Sequence, residues 1–424
     1  PLTTHFAFAQ GMHGHANRCA RIGACRKSAD GGGTMCPSFM ATRDEQHSTR
    51  GRANALVKAL SAPDPRAALG DAKLHEILDL CLECKACKRE CPLSIDMAAL
   101  KAETLAHHYE RHGVPLRAHA FGNIRIINRW GSALAPFSNW LARLPFAHAL
   151  LGIHARRPIP VFQGTTLPKW FAARPPKPRG ERGPVVFLAD SFTSYTEPWI
   201  GRAAIELLER AGWEVHLAAG VCCGRALISK GLLERAKSEH TKLIRELAPA
   251  AHQGIPIVGV EPSCVLTLKD ELPALAPRDA GAAVIARQAR LVDELLVQAL
   301  ADGGLEIDRL AHNQRTLFHA HCHQKAAGAT AASTELLQRI SNGDVVSLDV
   351  GCCGMAGSFG FEREHYALSM QIGAMRLFPA INAARPETRI AATGVSCRQQ
   401  IAQGTGRRAE HPVVLLNNVV RAAG

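Results

Sequence analysis

Four cysteines in the run Cys81-x2-Cys84-x2-Cys87-x3-Cys91, with Pro92 behind the last, carry the clearest chemistry in the chain. Three thiolates at intervals of three wrap one iron–sulfur cubane, and a fourth followed by proline reaches a second cluster where two are held. Zinc sites split their ligands into two knuckles about a dozen or more residues apart, which this compact run does not. Lys85, Lys88, Arg89 and Glu90 make the stretch a polar turn, so sulfurs buried merely as small hydrophobes do not explain it. The expectation is a 4Fe-4S cluster.

Upstream, Cys19-x5-Cys25-x10-Cys36-Pro37 reads as a stretched version of the same run, with Ile22 at the second ligand position. By the ferredoxin crossover, Cys36 completes the cluster of Cys81, Cys84 and Cys87. Cys19, Cys25 and Cys91 then remain for another site with only three thiolates. That site is left open between a 3Fe-4S cluster, a 4Fe-4S cluster with an outside ligand, and no cluster at all.

The second half repeats itself. Phe187–Ser191 matches Phe318–Cys322, Cys222-Cys223-Gly224 matches Cys352-Cys353-Gly354, and Gly259–Cys264 matches Ala392–Cys397, at offsets of 131, 130 and 133 residues. Three landmarks at nearly one offset argue a duplication. The later repeat offers Cys322, Cys352, Cys353 and Cys397 as ligands. The earlier one offers Cys222, Cys223 and Cys264, with Ser191 at the fourth position, and is the more degenerate. An adjacent Cys-Cys pair suits neighbouring irons of an open cluster better than one tetrahedral zinc. His319, His321 and His323 flank Cys322 and are read as hydrogen-bonded neighbours rather than ligands. Glu362, Glu364 and His365 are read as a solvated face. The Gly-rich stretch 351–360 does not fit G-x-G-x-x-G, and its glycines suit backbone folded tightly around a cofactor.

The elements that must hold these residues separate by composition into four stretches. Residues 1–112 are cysteine-rich and helical in pattern, the α-helical ferredoxin-like domain. Thr42-x-x-Glu45 reads as a capping box for a helix to about Leu60. A second helix runs through Leu74, Ile77 and Leu78, and Ser94 is the candidate cap of a third through Met97, Leu100 and Leu105. Residues 113–183 form a basic helical arm ending in a Pro/Arg linker. This arm holds eleven Lys or Arg against one acid, Glu181, and three of the five tryptophans, so most of the net charge of +13 belongs there. Residues 184–310 and 311–424 alternate strand and helix, which implies a duplicated α/β domain with parallel sheets.

Composition excludes several classes. An apolar share of 47 % supports sizeable cores. Fourteen cysteines with two adjacent pairs in so long a chain fit reduced, cytoplasmic thiols rather than a disulfide scaffold. No run is long and apolar enough to span a bilayer. The opening Pro1-Leu2-Thr3-Thr4 lacks an initiator Met and is read as cut from a larger protein.

The run Cys81–Pro92 followed by two Cys-Cys-Gly repeats resembles the iron–sulfur part shared by glycolate oxidase iron–sulfur subunits and heterodisulfide-reductase-type proteins. With Arg18–Arg26, Met35-Cys-Pro37 and His47-Ser-Thr-Arg-Gly-Arg-Ala53, it resembles more closely the C-terminal half of the long FAD-binding oxidoreductases of the bacterial D-2-hydroxyglutarate dehydrogenase type. The resemblance implies FAD and the hydroxy-acid pocket on a separate flavin-binding domain or subunit, since nothing here matches that part. It implies an oxidoreductase whose clusters pass electrons from reduced flavin to a quinone, cytochrome or other carrier. Ile22, Ser191, Glu261 and Gly394 depart from the broader cluster-binding pattern.

The basic arm is read first as a clamp on the flavin half or a second subunit. Next comes a peripheral contact with the inner face of an anionic membrane, and last nucleic acid, because the apolar runs between its charges look buried. Two rival functions stand beside the relay: a thiol–disulfide reductase working at the later repeat, and a non-catalytic iron–sulfur or zinc interaction module.

Overall fold

Short apolar runs such as Val185–Leu188 and Ile257–Gly259 become strands buried on both faces, as the centre of a parallel sheet requires. The structure is a computed structural model describing residues 2–175, 180–308 and 314–420. In the earlier repeat, β1 (Pro184–Leu188), β2 (Glu214–Ala218), β3 (Ile257–Gly259) and β4 (Ala289–Leu291) lie in the order β2-β1-β3-β4, all parallel. In the later repeat, β5 (Thr316–His319), β6 (Val345–Ser347) and β7 (Arg389–Ala392) lie in the order β6-β5-β7, again parallel. The matching strands occupy matching places. Where the first sheet has β4 beside β3, the second has a single parallel bridge from Ala391 to Glu410.

One core serves both repeats. Phe187, Leu207 and Val258 of the first pack in the same cluster as Phe318, Leu336 and Ala391 of the second. Polar contacts reinforce the joint: Glu261 caps its own helix Pro262–Lys269 through Ser263 N and also accepts from Val395 N at 2.9 Å. A single carboxylate thereby holds the starts of both helices that carry the last cysteine of each repeat.

The amino-terminal region is helical, with helices Pro37–Thr42, Thr49–Leu60, Ala72–Asp79, Ala86–Glu90 and Met97–His112. Two expected caps are displaced. Ser48, not Thr42, opens the helix to Leu60 by accepting from Gly51 N at 2.9 Å, because Thr42 Oγ1 is engaged by Ser38 O and His47. Asp96, not Ser94, caps Met97–His112 through Ala99 N, while Ser94 turns the chain at φ 49°.

The basic segment forms helices Leu116–Gly122, Ile124–Ala133, Phe137–Ala142 and Pro145–Leu150. Its chain breaks at Leu134–Pro136, and Gly131 lies inside the helix Ile124–Ala133, where it packs on the Phe162 ring. Its apolar runs are not buried as expected: Trp130, Phe137 and Trp140 are 63, 60 and 57 % exposed. Part of the Pro/Arg linker, residues 176–179, lies outside the described residues. Among those described, no helix is long and apolar enough to cross a membrane.

Candidate metal centres

The loop from Cys81 to Cys91 is folded around its own sulfurs. Glu83 and Lys85 adopt left-handed backbone, φ 51° and 59°, which turns the chain twice between Cys81 and Cys87. Such conformations cost about 1–2 kcal/mol per residue for L-amino acids and persist because neighbours hold them. Lys85 is buried and paired with Asp270 at 2.5 Å and Glu271 at 2.6 Å. Lys88 pairs with Asp96 and Asp270. Glu83 receives Arg225 at 2.7 Å. These pairs clamp the cysteine loop onto the earlier repeat. Lys85 and Lys88, read from the sequence as part of a polar turn, are largely neutralised by these carboxylates.

Cys36, at the start of helix Pro37–Thr42, closes the fourth side. A small cavity is lined by Cys36, Cys81, Cys84 and Cys87 together. Burial pushes the thiols of Cys81, Cys84 and Cys87 up, the last two far up, so they do not ionise unaided. A bound metal is the group that deprotonates such thiols. Arg52, wholly buried, donates Nη1 to Cys36 Sγ at 3.5 Å, and Thr49 Oγ1 lies 3.8 Å from the same sulfur. Four sulfurs around one small space, with a fixed cation on one of them, fit an iron–sulfur cluster. Arg52 and Thr49 had no assigned role in the sequence, although both lie inside the His47–Ala53 stretch that carried the resemblance.

Cys19, Cys25 and Cys91 border the same core but are less tightly gathered. Cys25 is buried, whereas Cys19 and Cys91 are half-buried at its edge. Burial raises the Cys25 thiol, and the charges of Cys36 and Cys19 reach it.

In the later repeat Cys322 opens the helix Cys322–Ala327, Cys352 and Cys353 sit in the Gly-rich loop, and Cys397 lies in the first turn of Val395–Thr405. All four are buried. The Cys352 contact lowers the Cys322 thiol to about 6 despite burial, and contacts with Cys352 and Cys397 lower Cys353. The neighbouring thiols and burial raise Cys352 and Cys397. Gly354 N donates to Cys352 Sγ at 3.4 Å. The charge of Cys322 also reaches Cys84, so this centre adjoins the four-cysteine cavity.

The three histidines divide. His321 Nδ1 accepts from His323 N at 3.2 Å, and His323 Nε2 meets Glu83 O at 2.9 Å, both as hydrogen-bonded neighbours. His319 has no hydrogen-bond partner on either ring nitrogen. Burial lowers it to about 4, leaving a neutral imidazole.

In the earlier repeat Cys222, Cys223 and Cys264 are gathered, and Ser191 Oγ accepts from Asn128 at 3.2 Å. A cavity of about 800 Å³ is bordered by Cys81, Cys222, Cys223, Cys264, Cys322 and His365 among others, and reaches the aromatic arm at Trp130. Every cysteine centre except the Cys19–Cys25 edge thus faces one largely apolar space.

Glu362 and His365, expected on a solvated face, are buried. His365 Nε2 hydrogen-bonds Asp79 at 2.7 Å, its Nδ1 side is ion-paired with Glu362 at 2.9 Å, and Lys230 and Arg117 also pair with Glu362. The cations already present balance these carboxylates, so a metal ion is not needed there. Asp79 stands two residues before Cys81; the network ties the cluster loop to the later repeat.

Comparison with known proteins agrees with this anatomy. A 4Fe-4S dicluster domain matches residues 15–95, and a cysteine-rich domain matches residues 190–269 and 316–402. The D-2-hydroxyglutarate dehydrogenase of Pantoea ananatis is 26 % identical over 454 residues, covering 96 % of this chain and 43 % of that protein. One of the subunits of the anaerobic glycerol-3-phosphate dehydrogenase of Escherichia coli is 29 % identical over 270 residues, 63 % of this chain and 67 % of that protein. Lactate utilization protein A of Oceanobacillus iheyensis is 30 % identical over 179 residues, 40 % of this chain and 70 % of that protein. The chain spans less than half the length of the D-2-hydroxyglutarate dehydrogenases it matches. The buried sulfur sets, the dicluster match over the helical region and the paired cysteine-rich matches together make this chain a member of the iron–sulfur family of cysteine-rich (Cys-Cys-Gly) domain proteins.

Proposed function

We propose that this chain is the electron-exit part of an FAD-linked dehydrogenase for a D-2-hydroxy acid of the D-2-hydroxyglutarate or D-lactate type. The flavin and the substrate pocket lie on a flavin-binding domain or subunit, and the acceptor is a quinone, cytochrome or other carrier. The observation that carries this reading is the convergence of Cys36, Cys81, Cys84 and Cys87 on one cavity that adjoins Cys322. The likeness to D-2-hydroxyglutarate dehydrogenases over nearly the whole chain supports the reaction class.

In this reading the helical region is a ferredoxin-like domain ending near residue 112, the arm spans 113–183, and the repeats divide near 310. A 4Fe-4S cluster on Cys36, Cys81, Cys84 and Cys87 supplies one-electron steps between a two-electron donor and the acceptor. Arg52 keeps a positive charge at the Cys36 sulfur and so favours the more negative, reduced state. The paired Lys85, Lys88, Asp96, Asp270 and Glu271 fix the cysteine loop and contribute little net charge. The later repeat is a second metal-holding site on Cys322, Cys352, Cys353 and Cys397, and the earlier one, with Ser191, is a remnant.

Iron, sulfide and zinc per chain on anaerobically purified protein, with EPR before and after dithionite, test the reading. About four iron per cluster with a reducible signal, lost in Cys84→Ser, supports it. Zinc without sulfide sinks it and leaves an interaction module.

A further inference from the structure

His319 is a buried imidazole that the fold itself does not satisfy. It ends β5 with no exposed surface, and neither ring nitrogen finds a hydrogen-bond partner. Leaving a buried donor unpaired is unfavourable. Its neighbours show what a satisfied histidine looks like here, since His321 and His323 both engage backbone groups.

What His319 does face is sulfur. One ring nitrogen, Cys353 Sγ and Cys397 Sγ all lie within 4.8 Å of one another, and all three residues are buried. The contact with Cys353 falls short of hydrogen-bond geometry. One ion binding nitrogen at about 2.0–2.1 Å and sulfur at about 2.3 Å would draw these atoms together by small side-chain rotations. Lys325 stands nearby but spends its ammonium on Gly351 O at 3.1 Å.

The duplication supplies an internal comparison. In the earlier repeat the position of His319 is Leu188 and that of Cys322 is Ser191. Leu188 is 2 % exposed at the end of the matching strand, so this fold accepts a plain hydrophobe there. The imidazole is therefore not required by packing. It is present where the extra sulfur is present and absent where the sulfur is absent, the pattern expected of ligands.

We propose that His319 is a direct nitrogen ligand, beside Cys353 and Cys397, of the metal held in the later repeat. The inference rests on the reading of that repeat as metal-holding, and not on the relay. Cys322 and Cys352, in contact with each other, are the remaining donors. The mixed imidazole–thiolate set takes zinc or iron.

The test uses the whole chain, purified anaerobically, as wild type, His319→Ala, His319→Cys and Cys84→Ser. Metals are counted per chain, and X-ray absorption at the iron and zinc edges reads the first shell in the Cys84→Ser protein. The expected result is a shell containing nitrogen as well as sulfur. His319→Ala should lose that metal while keeping the EPR signal of the Cys81 cluster, and His319→Cys should recover it with sulfur alone. An all-sulfur shell in Cys84→Ser, or an unchanged metal count and shell in His319→Ala, overturns the proposal. So does wild-type protein with no metal beyond the Cys81 cluster, a result that leaves the relay standing. If His319→Ala fails to fold, the wild-type shell and the His319→Cys shell still decide.

Discussion

Arg52 Nη1 donates to Cys36 Sγ at 3.5 Å from a side chain with no exposed surface, while Nη2 holds Ser38 Oγ at 3.0 Å and Nε holds Ile77 O at 3.1 Å. The planar guanidinium thus joins three elements at one ligand sulfur, a geometry lysine cannot reproduce. Removing the charge should make the reduced state harder to reach. Arg52→Met is expected to lower the midpoint potential of the Cys81 cluster, with Arg52→Lys between it and wild type. It should also cost about 1–3 kcal/mol of stability from the unpaired Ser38 and Ile77 groups. An EPR-monitored redox titration checks the first expectation and denaturant unfolding the second. An unchanged midpoint would separate Arg52 from cluster tuning.

The two Cys-Cys-Gly glycines are not equally replaceable. Both have left-handed backbone, φ +75° at Gly224 and +90° at Gly354. An added Cβ at Gly354 would meet Ser369 O at 2.3 Å, a backbone atom that cannot yield, whereas at Gly224 it meets His240 Nε2 at 2.9 Å. Gly224→Ala should cost about 1–2 kcal/mol for the backbone conformation with a minor side-chain adjustment. Gly354→Ala should cost clearly more and lose the metal of the later repeat. Equal losses in the two variants would contradict the difference in packing.

Stability should fall as pH rises from 6.5 towards 9. Burial opposes a charged His365, but hydrogen bonds to Asp79 and Glu362 outweigh it and raise the pKa from 6.5 to about 9. A folded pKa above the unfolded one means the contribution is complete below pH 6.5 and lost as pH climbs through 9. By the usual conversion this is on the order of 3 kcal/mol. The partner Glu362 works in the opposite direction: held down to about 2, chiefly by His365 and Lys230 against burial, it loses its contribution as the solution becomes acid. His365→Gln should flatten the alkaline limb of a stability–pH curve and leave a lower plateau at pH 6. A limb of the same slope in that variant would place the titration elsewhere.

Much of this architecture was legible from spacing alone. Val185–Leu188 and Ile257–Val258 are legible as strands because they are apolar on both faces and bounded by turn residues, whereas β4 and β6 carry no comparable run. The duplication announced two matching sheets. The displaced caps at Ser48 and Asp96 were not legible, since Thr42-x-x-Glu45 satisfies the same local pattern and only the path of the preceding chain decides between them. Long-range charge pairing was equally hidden. Lys85 looks like a solvated residue until Asp270 and Glu271, far along the chain, fold against it. His319 was read with His321 and His323 because sequence shows proximity to Cys322 but not which imidazole lacks a hydrogen bond. The Leu188 and Ser191 pair in the earlier repeat was the available signal.

The exposed aromatics of the arm bear on what covers it. Trp130, Phe137, Trp140 and Phe146 stand 54–63 % exposed on consecutive short helices in the most basic part of the chain. Extended apolar patches on a protein surface mark interaction sites. Trp130 also lines the 800 Å³ cavity that reaches Cys81, so a partner seated here would sit against that cavity. The flavin half is the expected occupant. In the isolated chain Trp130 and Trp140 should be strongly quenched by iodide, helped by the local positive charge. A separately expressed flavin-binding domain should protect them and shift their emission to shorter wavelength. Trp130→Ser with Trp140→Ser should change stability by no more than about 0.5 kcal/mol yet reduce flavin-to-cluster electron transfer at least tenfold. Protection by anionic vesicles and not by the flavin domain would reassign the face to lipid, because the same charge and the same aromatics suit a membrane surface.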